Sequence, residues 1–221
     1  MTSKEQLYQI LLNHMPLLRH CSGEEYMSRC NQCGDTGDLS RGHLYFKIDF
    51  DSEEPIPFSC RRCGFGGYIT NREILEKIIE VGTYAATGRG LQSPIIIAVT
   101  DKKMRDRLSA LNASIMGTDA DPFYGAPVVL IVLADKSVRT YLYDGSLVMG
   151  NLMSAAHAFG ISSCWIHRAK EEFESREGKK ILDDLGITGD YEGIGHCILG
   201  YSDCPNPVPR ERKKNYVYYI K

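Results

Sequence analysis

Asp121-Pro122-Phe123-Tyr124-Gly125-Ala126-Pro127-Val128-Val129-Leu130-Ile131-Val132-Leu133-Ala134 is the passage on which the fold turns. A turn punctuated by Pro122, Gly125 and Pro127 opens onto the unbroken aliphatic run Val128–Leu133, the pattern of a strand buried on both faces. The apolar stretch from Ala126 to Ala134 is about half of what a membrane-spanning helix requires. Working outward, Pro94–Val99, Ser162–Ile166 and Glu192–Leu199 read as further strands. Between them, 103–116, 144–159 and 171–185 carry helical periodicity, the last as an exposed helix. The 144–159 helix is apolar on most faces, through Leu147, Val148, Leu152, Ala155 and Ala156, which suits burial between layers or across a dimer interface. Thr70-Asn71-Arg72-Glu73 is a capping box opening a helix through Ile74, Leu75, Ile78 and Ile79, which Gly88 and Gly90 bring to an end. Strands alternating with helices predict a layered α/β or α+β domain.

The whole chain has 221 residues, 43% hydrophobic and 24% charged, which excludes a wholly disordered protein. Its 21 glycines show no three-residue period, which excludes collagen. A net charge of −2 gives no bulk attraction to nucleic acid or anionic lipid. Met1–Gln6 has no basic region leading into an apolar core, so no signal peptide or membrane partner is expected, and a cytoplasmic protein is the default.

Composition changes near Thr70. Residues 1–70 hold seven Lys/Arg against nine Asp/Glu, whereas 71–221 hold 19 of each. We therefore divide the chain into 1–70 and 71–221. The first part begins with a short amphipathic helix (Leu7, Ile10, Leu11, Met15), and from Tyr26 to Ile69 reads as a small antiparallel ribbon around the alternating stretch 43–50. Within it, Cys30-Asn31-Gln32-Cys33-Gly34 and Cys60-Arg61-Arg62-Cys63-Gly64 are two CxxC knuckles. Two thiolates three residues apart share one cation, and two such pairs supply the tetrahedral set of a structural Zn2+ site: Cys30, Cys33, Cys60 and Cys63. Four protein ligands leave no open position for water, and metal binding would let a segment with little core fold. These residues, with Gly34-Asp35-Thr36, 41–46, Phe58, Phe65 and Gly67, resemble the zinc ribbon of phage-type DNA primases. That resemblance implies nucleic acid as a candidate partner of the ribbon. The alternative role is structural or protein-contacting, and the acidic balance of the segment favours it.

From Arg72 onward the chain resembles the FMN-dependent nitroreductase family. The carriers are 73–94, ending in Ala85-Ala86-Thr87-Gly88-Arg89-Gly90-Leu91-Gln92; the loop 121–127; Asp144-Gly145-Ser146 with Asn151–His157; Gly160–His167; Gly195–Tyr201; and Pro209-Arg210-Glu211-Arg212-Lys213. The resemblance implies a layered α+β domain with a central mixed sheet, and a homodimer with FMN at the subunit interface. It also implies NAD(P)H as co-substrate and a nitroaromatic or quinone-like small molecule as electron acceptor. The flavin performs the chemistry in such enzymes, so no catalytic side chain is expected. The matching positions for the cofactor are Ala86, Thr87, Gly88, Gly90 and Gln92, from the partner subunit; Ser163, Cys164, Trp165, Ile166 and His167, along the ring; and Arg210 and Arg212, whose forked guanidiniums suit a phosphate monoester. On the residues alone, the 86–92 turn also reads as a plain helix cap, and Trp165 and Cys164 as core side chains. His167 and the basic tail likewise read as solvated. The family's first helix and its Arg-Arg-Ser-x-Arg segment have no counterpart here, since the zinc-ribbon text occupies that space. The rival reading is a primase-type nucleic-acid-binding module whose second domain serves dimerisation with impaired catalysis.

Overall fold

The computed structural model describes residues 19–22, 25–28, 44–47, 56–60, 66–69, 71–201 and 208–220. The expected first helix around Leu7–Met15, the Thr70 cap, and Cys30, Cys33 and Cys63 lie outside these residues.

The first part forms a five-stranded meander: β1 Arg19–Ser22, β2 Glu25–Ser28, β3 Leu44–Lys47, β4 Ile56–Cys60 and β5 Gly66–Ile69. Each strand pairs antiparallel with the next.

The second part is three-layered. Strands β6 Pro94–Val99, β7 Val128–Asp135, β8 Ser162–Ile166 and β9 Tyr191–Gly200 form one sheet in the order β6-β7-β9-β8. Every pairing in it is antiparallel, which corrects the expected mixed sheet. A strand–helix–strand unit is parallel only if the helix alone returns the chain. Here the connection 117–127 follows the helix, and β7 begins beside the end of β6, with Val129 opposite Val99.

Helices cover both faces. Helix α1 (Asn71–Thr83) and helix α3 (Tyr141–Ala158) pack on one, burying Ile74, Ile78, Met149 and Leu152 against Leu130, Val132 and Leu199. Helix α2 (Lys102–Met116), α4 (Ala169–Glu174) and α5 (Arg176–Asp184) cover the other, where Leu108, Phe173, Ile181 and Leu182 meet Val129, Ile131 and Leu133. Val129 through Ala134 are all fully buried, so β7 is the shared spine of both cores. The two helices over the first face approach closely because position 82 is glycine: a Cβ there would sit 2.5 Å from Leu152 Cδ2. Tyr26 of β2 also packs against this cluster.

The expected helix 171–185 is two helices. Ser175 is extended and caps α5 by accepting the Gly178 N–H at 3.1 Å. The pair is not an exposed surface either, since Glu172, Phe173, Ile181 and Leu182 are buried. Among the described residues no helix is long and apolar enough to cross a membrane.

Because β7 packs on both faces, Leu130→Ala should cost about 2–5 kcal/mol of unfolding free energy, measured by urea denaturation. A loss under about 1 kcal/mol would mean that β7 is not the spine of the cores.

Candidate functional site

The turn between α1 and β6 is shaped by one carboxylate. Asp144, in the first turn of α3, is only 2% exposed. Its Oδ1 accepts the Gly88 N–H at 2.9 Å, and its Oδ2 accepts the hydroxyls of Ser93 at 2.9 Å and Thr140 at 3.0 Å. The helix starts at Tyr141, ahead of the expected Asp144, because the Asp144 N–H already bonds the Thr140 carbonyl at 3.0 Å. Burial pushes the Asp144 carboxyl up, but the Gly88 amide and the Ser93 and Thr140 hydroxyls outweigh it and hold the group below its ordinary value. The helix dipole acts in the same direction. Gly88 has to be glycine, since a Cβ there would lie 2.2 Å from Thr140 Oγ1. The turn then runs through left-handed Arg89 (φ 56), Gly90 (φ 69) and Gln92 (φ 50), with Thr87 Oγ1 accepting the Gln92 N–H at 3.1 Å. Ala86 and Gln92 are left exposed, as are Leu91 and Tyr84.

A second carboxylate shapes the loop before β7. Asp121 accepts the Phe123 and Gly125 N–H groups at 2.9 and 2.7 Å, the Ser109 hydroxyl and the Arg105 guanidinium. Arg105 also donates to the Ala126 carbonyl at 2.9 Å. Against the upward push of burial, the Ser109 and Arg105 donors and these two amides hold the Asp121 carboxyl far below the usual carboxylate range.

That loop forms one wall of a cleft of about 410 Å3. Tyr124, Gly125, Ala126 and Pro127 face Ser162, Ser163 and Cys164 across it, with Ile198, Gly200 and Tyr201 also lining it. Burial pushes the Tyr201 phenol up to about 12, so it remains a neutral donor. Of the residues expected along the ring, Ser163 and Cys164 therefore stand in a cleft. Trp165 turns to the face opposite Cys164, against the α1–α3 core, with Nε1 pressed on Gly195 and without a hydrogen-bond partner among the described residues. Ile166 buries its side chain in the other core. His167 is exposed at the strand end and stacks on Trp165 at 6.1 Å. Arg210 and Arg212 lie in the exposed segment 208–220, where the Arg212 guanidinium bonds the Arg210 carbonyl at 2.9 and 3.1 Å.

The register separates the two halves of the expected site. Ser163 is level with Leu199 and Val128, where β7 begins. Ser93 is level with Asp135, where β7 ends, since its carbonyl accepts the Asp135 N–H at 3.0 Å. At about 3.3 Å per residue these levels are about 23 Å apart. One chain does not bring the 86–92 turn to the 163–164 cleft.

Several organising residues fell within the resembling segments without any role being legible for them. Asp144 reads as one polar residue opening an apolar helix, and its partners Gly88 and Ser93 are 56 and 51 residues away. Tyr124 and Tyr201 meet across the cleft only through sheet topology.

The layered domain has counterparts among known proteins. Residues 114–201 match the Nitroreductase family. The fold is nitroreductase-like. A nitroreductase with bound FMN from Bacteroides fragilis NCTC 9343 superposes with a TM-score of 0.62 at 21% identity, covering 69% of this chain and 89% of that one. A nitroreductase with bound FMN from Desulfitobacterium hafniense DCB-2 gives 0.61 at 21% identity, with the same coverage. An FMN-dependent nitroreductase from Clostridium difficile R20291 gives 0.59 at 22%, covering 68% and 89%. No curated protein matches the chain.

Asp144→Ala strips the Gly88 amide and two hydroxyls of their acceptor and should cost about 3 kcal/mol in stability. The sign of the pH effect follows from the lowered carboxyls. Asp144 and Asp121 stabilise the fold above about pH 4, the unfolded-state value, and that contribution is lost as pH falls further. Urea titrations from pH 6 to 2 should show a shallower acid loss in Asp144→Asn than in the parent, and equal slopes would refute the linkage.

Proposed function

We propose that this chain is an FMN-dependent oxidoreductase of the nitroreductase type that works as a homodimer. The observation that carries the reading is the distance between the two halves of the site. The 86–92 turn and the 163–164 cleft face one ligand only if a second copy supplies one of them. Unpartnered apolar surface beside the turn supports this: Leu91, Leu142, Tyr143 and Leu147 are each about half or more exposed. Leu142, Tyr143 and Leu147 lie on α3, the helix whose apolar breadth suited an interface.

FMN bound here would supply hydride chemistry between NADH or NADPH and a nitroaromatic or quinone-like acceptor, with the protein providing position and electrostatics. The residues present fit such a group. Among the described residues strand β8 is the edge of its sheet, so half of its backbone amides and carbonyls are turned away from β9, toward where a planar heterocycle would bond. Ser163 and Cys164 present that backbone to the cleft, Trp165 and Ile166 offer main chain only, and His167 closes the row. Ala86, Thr87, Gly88, Gly90 and Gln92 meet the ring from the partner. Arg210 and Arg212 hold the phosphate, where paired guanidiniums match its oxygens.

The same proposal gives Cys30, Cys33, Cys60 and Cys63 a structural Zn2+. Register supports it. Cys60 ends β4 opposite Leu44, which is opposite Ser28 at the end of β2. Ser28, two residues before Cys30 in sequence, and Cys60 therefore lie at one end of the sheet, on strands about 10 Å apart with β3 between them.

The test is an absorbance spectrum of the purified protein with zinc quantified on the same sample. The expected result is about one FMN and one zinc per chain, with NAD(P)H oxidation on addition of a quinone. A colourless protein that stays colourless after FMN addition and desalting would overturn the enzyme reading. The double variant Arg210→Ala/Arg212→Ala should weaken FMN binding by about tenfold or more, read by flavin fluorescence quenching.

A further inference from the structure

One buried polar cluster is left unused by this chemistry. Asn112 of α2, Glu172 of α4 and His196 of β9 are each 0% exposed. His196 Nε2 lies 3.0 Å from Glu172 Oε2. Asn112 Nδ2 donates to Glu172 Oε1, and at 2.9 Å to the His167 carbonyl. Arg168 Nε returns a bond to Asn112 Oδ1 at 2.8 Å. His196 Nε2 and Glu172 Oε2 share a hydrogen bond, and His196 Nδ1 has no hydrogen-bond partner among the described residues.

Polar groups buried this deeply cost free energy that an apolar core would not, so what they hold in place is informative. They converge on the corner where β8 passes into α4. Arg168 there has φ 78, a left-handed conformation uncommon and strained outside glycine. Asn112 grips the corner twice, through the His167 carbonyl and the Arg168 side chain. In a trans peptide the N–H points opposite to the carbonyl, so a His167 carbonyl held toward Asn112 turns the Arg168 N–H away from it. This is the end of the strand whose edge is assigned to the flavin ring.

We propose that Asn112, Glu172 and His196 are positioning residues for the flavin site, holding the His167–Arg168 corner so that its backbone receives the edge of the ring. The proposal rests on the FMN reading above and extends it to residues that touch no ligand.

The experiment compares Asn112→Ala with Leu182→Ala, a buried apolar change on the same side of the sheet, away from the hydrogen bonds that hold the corner. FMN dissociation constants and the reduction potential of the bound flavin are measured at a temperature where circular dichroism shows both variants folded. The expected result is a loss of affinity of about tenfold or more with a shifted potential in Asn112→Ala, and parent values in Leu182→Ala. Equal effects in the two variants, or none in Asn112→Ala, would overturn the proposal. Hydrogen exchange of the Arg168 amide in the unaltered protein asks the same question without a variant. Slower exchange on adding FMN supports the assignment, and unchanged exchange in a protein that does bind FMN refutes it. A parent protein that takes up no FMN overturns the enzyme reading itself, and this proposal with it.

Discussion

The Asp144 carboxylate is the constraint on which the arrangement of the layered domain depends. It sits almost out of reach of water and gathers donors from three places in the chain: the turn after α1, the residue before β6 and the residue before α3. Those three segments begin or end the elements flanking one face of the sheet. A charge in that position is tolerable only when fully hydrogen-bonded, so the turn, the strand and the helix adopt their relative placement together.

The same device recurs at the other exposed ends of the sheet. Asp121 collects two amides, a hydroxyl and a guanidinium to close the loop that walls the cleft. Asn112, Glu172 and His196 fix the corner after β8. The apolar cores around β7 set which elements pack together, and they do so without direction. The buried acceptors add direction, fixing how the loops between those elements are presented. Two of the three anchors adjoin the strand that lines the cleft, where small displacements would matter most for a bound ring.

The separation of the 86–92 turn from the 163–164 strand gives the oligomeric state a chemical meaning. With the two segments at opposite ends of β7, assembly would complete the proposed site, and the exposed apolar side chains Leu142, Tyr143 and Leu147 lie on α3, the helix that carries Asp144. The five-stranded N-terminal sheet is a separate construction with its own logic. Its strands are four or five residues long, too short for a sizeable core, which is the circumstance in which a metal contributes to folding outright.

Elements with local signals were legible along the chain. The aliphatic runs 94–99 and 128–133 and the periodicity of α1 and α2 each depend on neighbours within a few residues, where hydrophobic spacing is informative. A resemblance carried by short motifs also marked out the fold and the segments around the cleft. The remainder follows from long-range packing. The sense of the sheet depended on how the 117–127 connection enters β7, which no periodicity encodes. The break at Ser175 depended on a cap that competes with helix continuation. Asp144, Asp121 and Asn112 read along the chain as ordinary polar residues. Their roles come from partners as far as 60 residues away in sequence, and only folding brings those partners within 3 Å.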